Sequence, residues 1–260
     1  MKVDNILPQF ELDTLYPNGK IGLIALATDI NIENNLSSLL PNNIGLFTTR
    51  IQNTNPLTME NLRKMEGGFE STLATILPGS ELDLVIFGCT SGTIALGEEL
   101  IEKKIGEVRS DSFVTNPVKA AIAAFEHFGA KKVSILTPYT DEINQNVAEY
   151  FSSMGYEVLN IVGFGFTDDT LMTSISTNDI KEAAVLTCHP DADLLFISCT
   201  ALRASVVVEV LEHQLERPVV TSNQALVWHS LSLLKSKEAP LGCGCLFSSI
   251  HSYSEPAVCP

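Results

Sequence analysis

The feature that most constrains this chain is an internal duplication. ELDLVIFGCT (81–90) lies on DADLLFISCT (191–200) with Cys89 over Cys199, and KIGLIALATD (20–29) lies on KKVSILTPYTD (131–141) with Asp29 over Asp141. The offsets are 110 and 112 residues, so two separate matches describe nearly one repeat. Apolar strands resemble each other and one match alone carries little weight. The paired Cys-Thr endings tie these two together. Two halves of similar structure are expected.

Between and around the repeats, short β-branched runs alternate with helical stretches. Strands are predicted at 21–28, 44–51, 82–90, 132–138, 156–164, 193–200 and 217–223, and their near-continuous apolarity suits a parallel sheet covered on both faces. Helices are predicted over 59–77, 117–129 and 141–155, the last two stopping at glycine. Such alternation specifies an α/β fold: two pseudo-symmetric Rossmann-like domains, each a mainly parallel four-stranded sheet flanked by helices. Residues 1–115 with 224–260 are assigned to the first domain and 116–223 to the second, with the active site in the cleft between them.

Ligands of open α/β sheets sit beyond the carboxyl ends of the strands, and Cys89 and Cys199 each occupy such an end. Two facing halves would bring the thiols to opposite sides of one small molecule. Helix-like sequence follows each cysteine, IALGEELIEKK after CTSGT and ASVVVEVLEHQLE after CTALR. Each thiol is therefore placed at a helix N-terminus, where free N–H groups and the dipole favour thiolate and can hold a substrate carboxylate. The hydroxyls of Thr90, Ser91 and Thr200 add donors. Thiolate on one face and thiol on the other make a two-base pair for moving a proton across a carbon centre. The same pair also suits addition to an alkene, rotation and elimination, which is cis–trans isomerisation. A lone cysteine at a strand end is more often an inert apolar filler; two at matching places of a duplicated chain favour function.

Bulk properties narrow the partners. Asp and Glu number 31 against 16 Lys and Arg, a net charge of −15 without any cationic run, which argues against a nucleic-acid partner. No apolar stretch reaches the roughly 20 residues of a membrane span. The start MKVDNILPQFELD lacks the apolar core of a secretory signal, so a cytoplasmic location is expected. The six cysteines are accordingly expected to be thiols rather than disulfides. Cys188-His189 and the pair Cys243 and Cys245 lack a second partner pair at zinc spacing, so no metal is expected. Gly163 and Gly165 in GFGF do not make a nucleotide loop. The polar tail from Ser248 to Pro260 is expected to be mobile or packed at the surface.

The segments IFGCTSGT and ISCTALRA, with PVVTSNQALVWHSL (218–231), resemble the aspartate/glutamate racemase superfamily, in the branch of maleate isomerase, arylmalonate decarboxylase and the ectoine-utilisation putative racemase. The likeness runs from about Gly22 to Phe247. It implies two α/β domains, no cofactor, Cys89 and Cys199 as the catalytic pair, and carboxylate-binding roles near Asp29, Tyr139 and Asn223. Two departures matter. The position aligned with Asp29 is usually Asn in maleate isomerases. Arylmalonate decarboxylase has Gly where this chain has Cys89, which disfavours a decarboxylase.

Each supporting residue has a plainer role open to it. Asp29 can orient or deprotonate Cys89, bind a substrate ammonium, or simply cap the next helix. Tyr139 can donate to a substrate carboxylate or be a buried loop tyrosine. Asn223 can bind substrate or cap its own helix, and Asn116 is expected to cap the helix that Pro117 opens. Arg50 and Arg203 are the obvious cations for a carboxylate, though neither is favoured as a direct ligand. His127, His213 and His229 are read as surface or capping residues. The expected function is a cofactor-independent isomerase or racemase of a small carboxylate, and a homodimer is the default assembly. A non-catalytic carboxylate-binding protein is the competing reading.

Overall fold

The protein is described by a computed structural model covering residues 1, 3 and 12–251. The rest of the N-terminal segment read above for targeting, most of the tail, and Cys259 lie outside the described residues.

Among the described residues, eight strands form two all-parallel sheets. The first holds β1 (Lys20–Leu26), β2 (Gly45–Ile51), β3 (Leu84–Gly88) and β4 (Phe113–Thr115), ordered β2-β1-β3-β4. The second holds β5 (Lys132–Thr137), β6 (Glu157–Gly163), β7 (Leu194–Ile197) and β8 (Val219–Thr221), ordered β6-β5-β7-β8. The order is the same in both, so the duplication seen in the residues is a duplication of topology. The central strands are fully buried, including Leu84–Phe87 and Leu194–Ile197, as apolar runs covered on both faces must be.

Helices α1 (Ile32–Leu39), α2 (Met59–Arg63), α3 (Phe69–Leu73), α4 (Thr90–Leu96), α5 (Glu98–Gly106) and α6 (Pro117–His127) belong to the first half of the chain. The second half carries α7 (Asp141–Ser153), α8 (Asp169–Thr173), α9 (Thr177–Thr187), α10 (Val208–Leu215), α11 (Ser222–Leu233) and α12 (Cys245–His251). The end signals work as expected at α6. Pro117 opens it, and Asn116 Oδ1 accepts from the amides of Val118 and Lys119 at 2.9 and 2.8 Å. Gly129 and Gly155 follow α6 and α7 with positive φ.

Three expected elements differ. The single helix over 59–77 is interrupted by a 3₁₀ turn, Lys64–Gly68, because Gly67 and Gly68 weaken its middle. The helix after Cys89 breaks at Gly97, φ 84°, into α4 and α5. The stretch after Cys199 does not start a helix at all: a turn leads to a 3₁₀ segment at Ser205–Val207, and α10 begins only at Val208. The β-branched Val206 and Val207 shift the start downstream.

The halves interlock through their last helices. α6, which follows the first sheet, packs on α11 and touches β8, while α11 follows the second sheet and touches β4. α4, directly after Cys89, packs on α6 and α7. The strand ends bearing both cysteines are thereby held against each other.

Candidate active site

Cys89 and Cys199 sit where β3 and β7 end, and both are buried, 3% and 6% exposed. Cys89 is the N-cap of α4, and its Sγ accepts from the Gly92 amide at 3.1 Å. A side chain at Gly92 would meet that sulfur, since an added Cβ would lie 2.8 Å from it. Cys199 is held differently. Its φ is 105°, a region that residues with a Cβ rarely adopt, and its amide donates to Ser222 Oγ at 3.0 Å.

Hydrogen bonds from both halves meet here. Ser222 Oγ also lies 3.1 Å from Thr90 Oγ1, so one hydroxyl ties the two cysteine turns together. Thr200 Oγ1 donates to Asp29 Oδ2 at 2.8 Å and reaches the Gly88 carbonyl at 3.3 Å. Asp29 Oδ1 accepts the amides of Asn31 and Ile32, at 2.8 and 2.9 Å. Its carboxylate thus caps the entry to α1 and clasps the opposite half. Asn223 Nδ2 donates to the Thr200 carbonyl and to Asn35 Oδ1, both at 2.9 Å, while its buried Oδ1 has no partner among the described residues. Tyr139 is 1% exposed, and its hydroxyl lies close enough to the Cys199 sulfur and to Ser91 for each to bear on its ionisation. Ser91 Oγ in turn lies 3.7 Å from Cys89 Sγ. The hydroxyls of Ser91 and Tyr139 thus stand beside the thiols, Ser91 at Cys89 and Tyr139 at Cys199.

Every predicted site residue is in this cluster or bonded to it. The thiol electrostatics are the reverse of the expectation from helix N-termini. Burial first, and then the carboxylate of Asp169, push Cys89 up to about 12 and Cys199 well above an ordinary thiol. Desolvation outweighs the lowering from the Gly92 amide at Cys89 and from Tyr139 at Cys199. Burial likewise raises Tyr139, with both cysteines adding to the rise.

Asp169 was not anticipated from the sequence. It opens α8, beyond the carboxyl end of β6, and is 3% exposed. Thr28 Oγ1 donates to its Oδ2 at 2.7 Å. Burial, reinforced by the Asp29 charge, raises its carboxyl to about 6. The available signal was an acidic pair, Asp168-Asp169, just past a strand end. Ser222 and Gly92 also went unnoticed, because their roles depend on what lies opposite them.

The arginines are engaged with backbone. Arg50 donates to the carbonyls of Leu26 and Asp29 and pairs with Glu33. Arg203 donates to the carbonyls of Thr173 and Ile175. His229 is not at the surface: it is half-buried, its Nδ1 is 2.8 Å from Thr115 Oγ1, and burial lowers it to about 4. His127 stacks near Trp228, and exposed His213 is in the last turn of α10. Cys89, Cys188, Cys199 and Cys243 are free, but Cys245 is disulfide-bonded, which corrects the reading of every cysteine as a thiol. Spacing alone does not show which cysteines approach within bonding distance.

A family model described as arylmalonate decarboxylase matches residues 95–247, more than half of the chain. The chain belongs to that family. Similar to it is a maleate isomerase of Alcaligenes faecalis, 23% identical over 195 residues that cover 72% of this chain and 74% of the relative. Among solved structures, a maleate isomerase of Pseudomonas putida S16 superposes with a TM-score of 0.81 at 19% identity, over 90% of this chain and 99% of that one. A cysteine-to-serine variant of Nocardia farcinica maleate cis-trans isomerase, with a covalently bound succinylcysteine intermediate, gives 0.78 at 18% identity over 89% and 98%. This family membership agrees with the resemblance carried by the two cysteine motifs, and the two parallel four-stranded sheets are the fold of those structures.

Proposed function

We propose that the chain is a cofactor-independent isomerase or racemase that acts on a small carboxylate with Cys89 and Cys199 as its paired acid/base groups. The observation that carries this is the burial of two thiols, from equivalent strand ends of two similar halves, beside the hydroxyls of Ser91 and Tyr139. One sulfur takes a proton from carbon and the other returns one from the opposite face. The amides of Thr90 and Ser91, which precede the first helical hydrogen bond of α4, and the hydroxyls of Ser91 and Tyr139 would hold the carboxylate. Thr90, Asp29, Thr200 and Asn223 line and brace the same place, with the bonds described above fixing the cysteine turns.

The domain division follows the same reading: residues 1–115 with 224–260 against 116–223, α11 returning to the first sheet. We assign the enzyme to the cytoplasm and to a homodimer on the sequence arguments given. Among the described residues no helix is long and apolar enough to cross a membrane.

A second reading is maleate cis–trans isomerisation by cysteine addition. It is favoured by the similarity to maleate isomerases, one of which carries a succinylcysteine. Proton NMR in D2O with maleate, aspartate, glutamate and phenylmalonate separates these. Deuterium at an α-carbon is the expected result for proton transfer, and fumarate from maleate signals addition. Carbon dioxide from phenylmalonate, or no reaction with any small carboxylate, would overturn the proposal.

A further inference from the structure

The proposed reaction uses two thiols and a tyrosine, yet the site also encloses Asp169, and nothing in that reaction needs a carboxylate there. Asp169 is 3% exposed, and among the described residues only the Thr28 hydroxyl donates to its side chain. Among the described residues no cation answers it. The nearby candidates, Arg50 and Arg203, are turned to backbone carbonyls and Glu33. Its charge reaches both thiols and is felt by each more strongly than that of Asp29. Asp29 differs from it in being fully engaged, by two amides and the Thr200 hydroxyl. A second acceptor without a partner among the described residues lies beside the Cys199 turn: the buried Oδ1 of Asn223, whose amide nitrogen is fixed on the Thr200 carbonyl.

Buried acceptors without donors are costly, and buried carboxylates without cations more so. They persist where a ligand supplies what is missing. We infer that Asp169 is the specificity-determining residue of this site and receives the ammonium group of an amino-acid substrate, so that the substrate class is a small amino acid rather than a dicarboxylate without nitrogen. This rests on the two-cysteine isomerase reading and deepens it. A dianion such as maleate would bring like charge against Asp169. An amino acid brings its carboxylate to the hydroxyls of Ser91 and Tyr139 and its ammonium to Asp169. That positive charge also offsets the field that keeps the thiols protonated, so the substrate itself helps a sulfur to give up its proton. The chemistry then stays balanced: one thiolate gains the α-proton as S–H, and the opposite S–H delivers its proton to the same carbon. The ammonium keeps all of its protons throughout.

The test compares matched ligands that differ only in the amino group: aspartate with succinate, glutamate with glutarate, and alanine with propionate. Binding is read by calorimetry or ligand-observed NMR on the full chain. Wild type is expected to bind the amino member of at least one pair tenfold or more tightly than its partner. Asp169→Asn should abolish or invert that preference while melting as a folded protein. Asp169→Glu, which keeps the charge but displaces it, should retain the sign of the preference at lower affinity. A wild type that favours the nitrogen-free member, or neither member, in every pair overturns the inference, as does a preference that survives in Asp169→Asn. Failure of the two-cysteine reading shows separately, as undiminished turnover in Cys89→Ser or Cys199→Ser.

Discussion

At Cys199 the backbone holds φ at 105°, and a Cβ in that region costs on the order of 1–3 kcal/mol. Strain of this kind survives only where surroundings impose it, here through the Ser222 bond to the Cys199 amide. The usual ranking of small residues should therefore reverse. By denaturant titration, Cys199→Gly is expected to be more stable than Cys199→Ala by about 1 kcal/mol. An alanine variant as stable as the glycine one would show the turn to be unstrained. Asp169 gives a second expectation at this scale. Its carboxyl titrates near 6 when folded, against 3.8 for an ordinary aspartate, so the native protein binds that proton more tightly than the unfolded chain. Its contribution to stability is present in full below about pH 3.8 and is lost as pH rises through 6. Asp169→Asn should accordingly be more stable than wild type at pH 8, on the order of 1–3 kcal/mol, with the gap narrowing below pH 6 and closing near pH 3.8. Equal stabilities at pH 8 would contradict the raised carboxyl. Neither property could be read from the residues in order, because strain and desolvation arise from what folds around them.

Among elements, α4 shows how narrowly a thiol is seated. A Cβ at Gly92 would lie 2.8 Å from both Cys89 Sγ and Met65 Cε. Gly92→Ala is expected to cost about 1–3 kcal/mol in unfolding experiments and to lower turnover at least tenfold by tilting the sulfur off its amide. Gly106→Ala, at the end of α5 with nothing within 4 Å, is the matched control and should leave turnover unchanged. Loss of turnover in both variants, or in neither, would deny Gly92 its special place. The elements were also where sequence reading succeeded unevenly. Seven of the strands were visible as apolar runs, whereas β4, with only Phe113–Thr115, is too short to leave a pattern. Asn116-Pro117 announced α6 correctly. The helix expected directly after Cys199 was displaced to Val208, since apolar periodicity shows that a helix exists better than it shows where the first turn closes.

For the whole molecule, the duplication carried most of the information. Matching two short segments at nearly one spacing foretold two sheets of one order, and it put both cysteines at equivalent strand ends. It could not reveal contributions that cross between the halves, such as Asp169 from beyond β6 bonding to Thr28 beyond β1, or Ser222 joining Thr90 to the Cys199 amide. Those depend on how the halves are set against each other, which α6 and α11 fix by packing together. The two thiols are expected to act as one pair. The measurement that tests it is turnover of a substrate found in the D2O screen by Cys89→Ser and by Cys199→Ser, with melting temperature recorded beside it. Removal of a positioned acid or base should lower the rate by about 100-fold or more in each variant, with melting near that of wild type. Near-full turnover in either folded variant would contradict the paired-thiol mechanism.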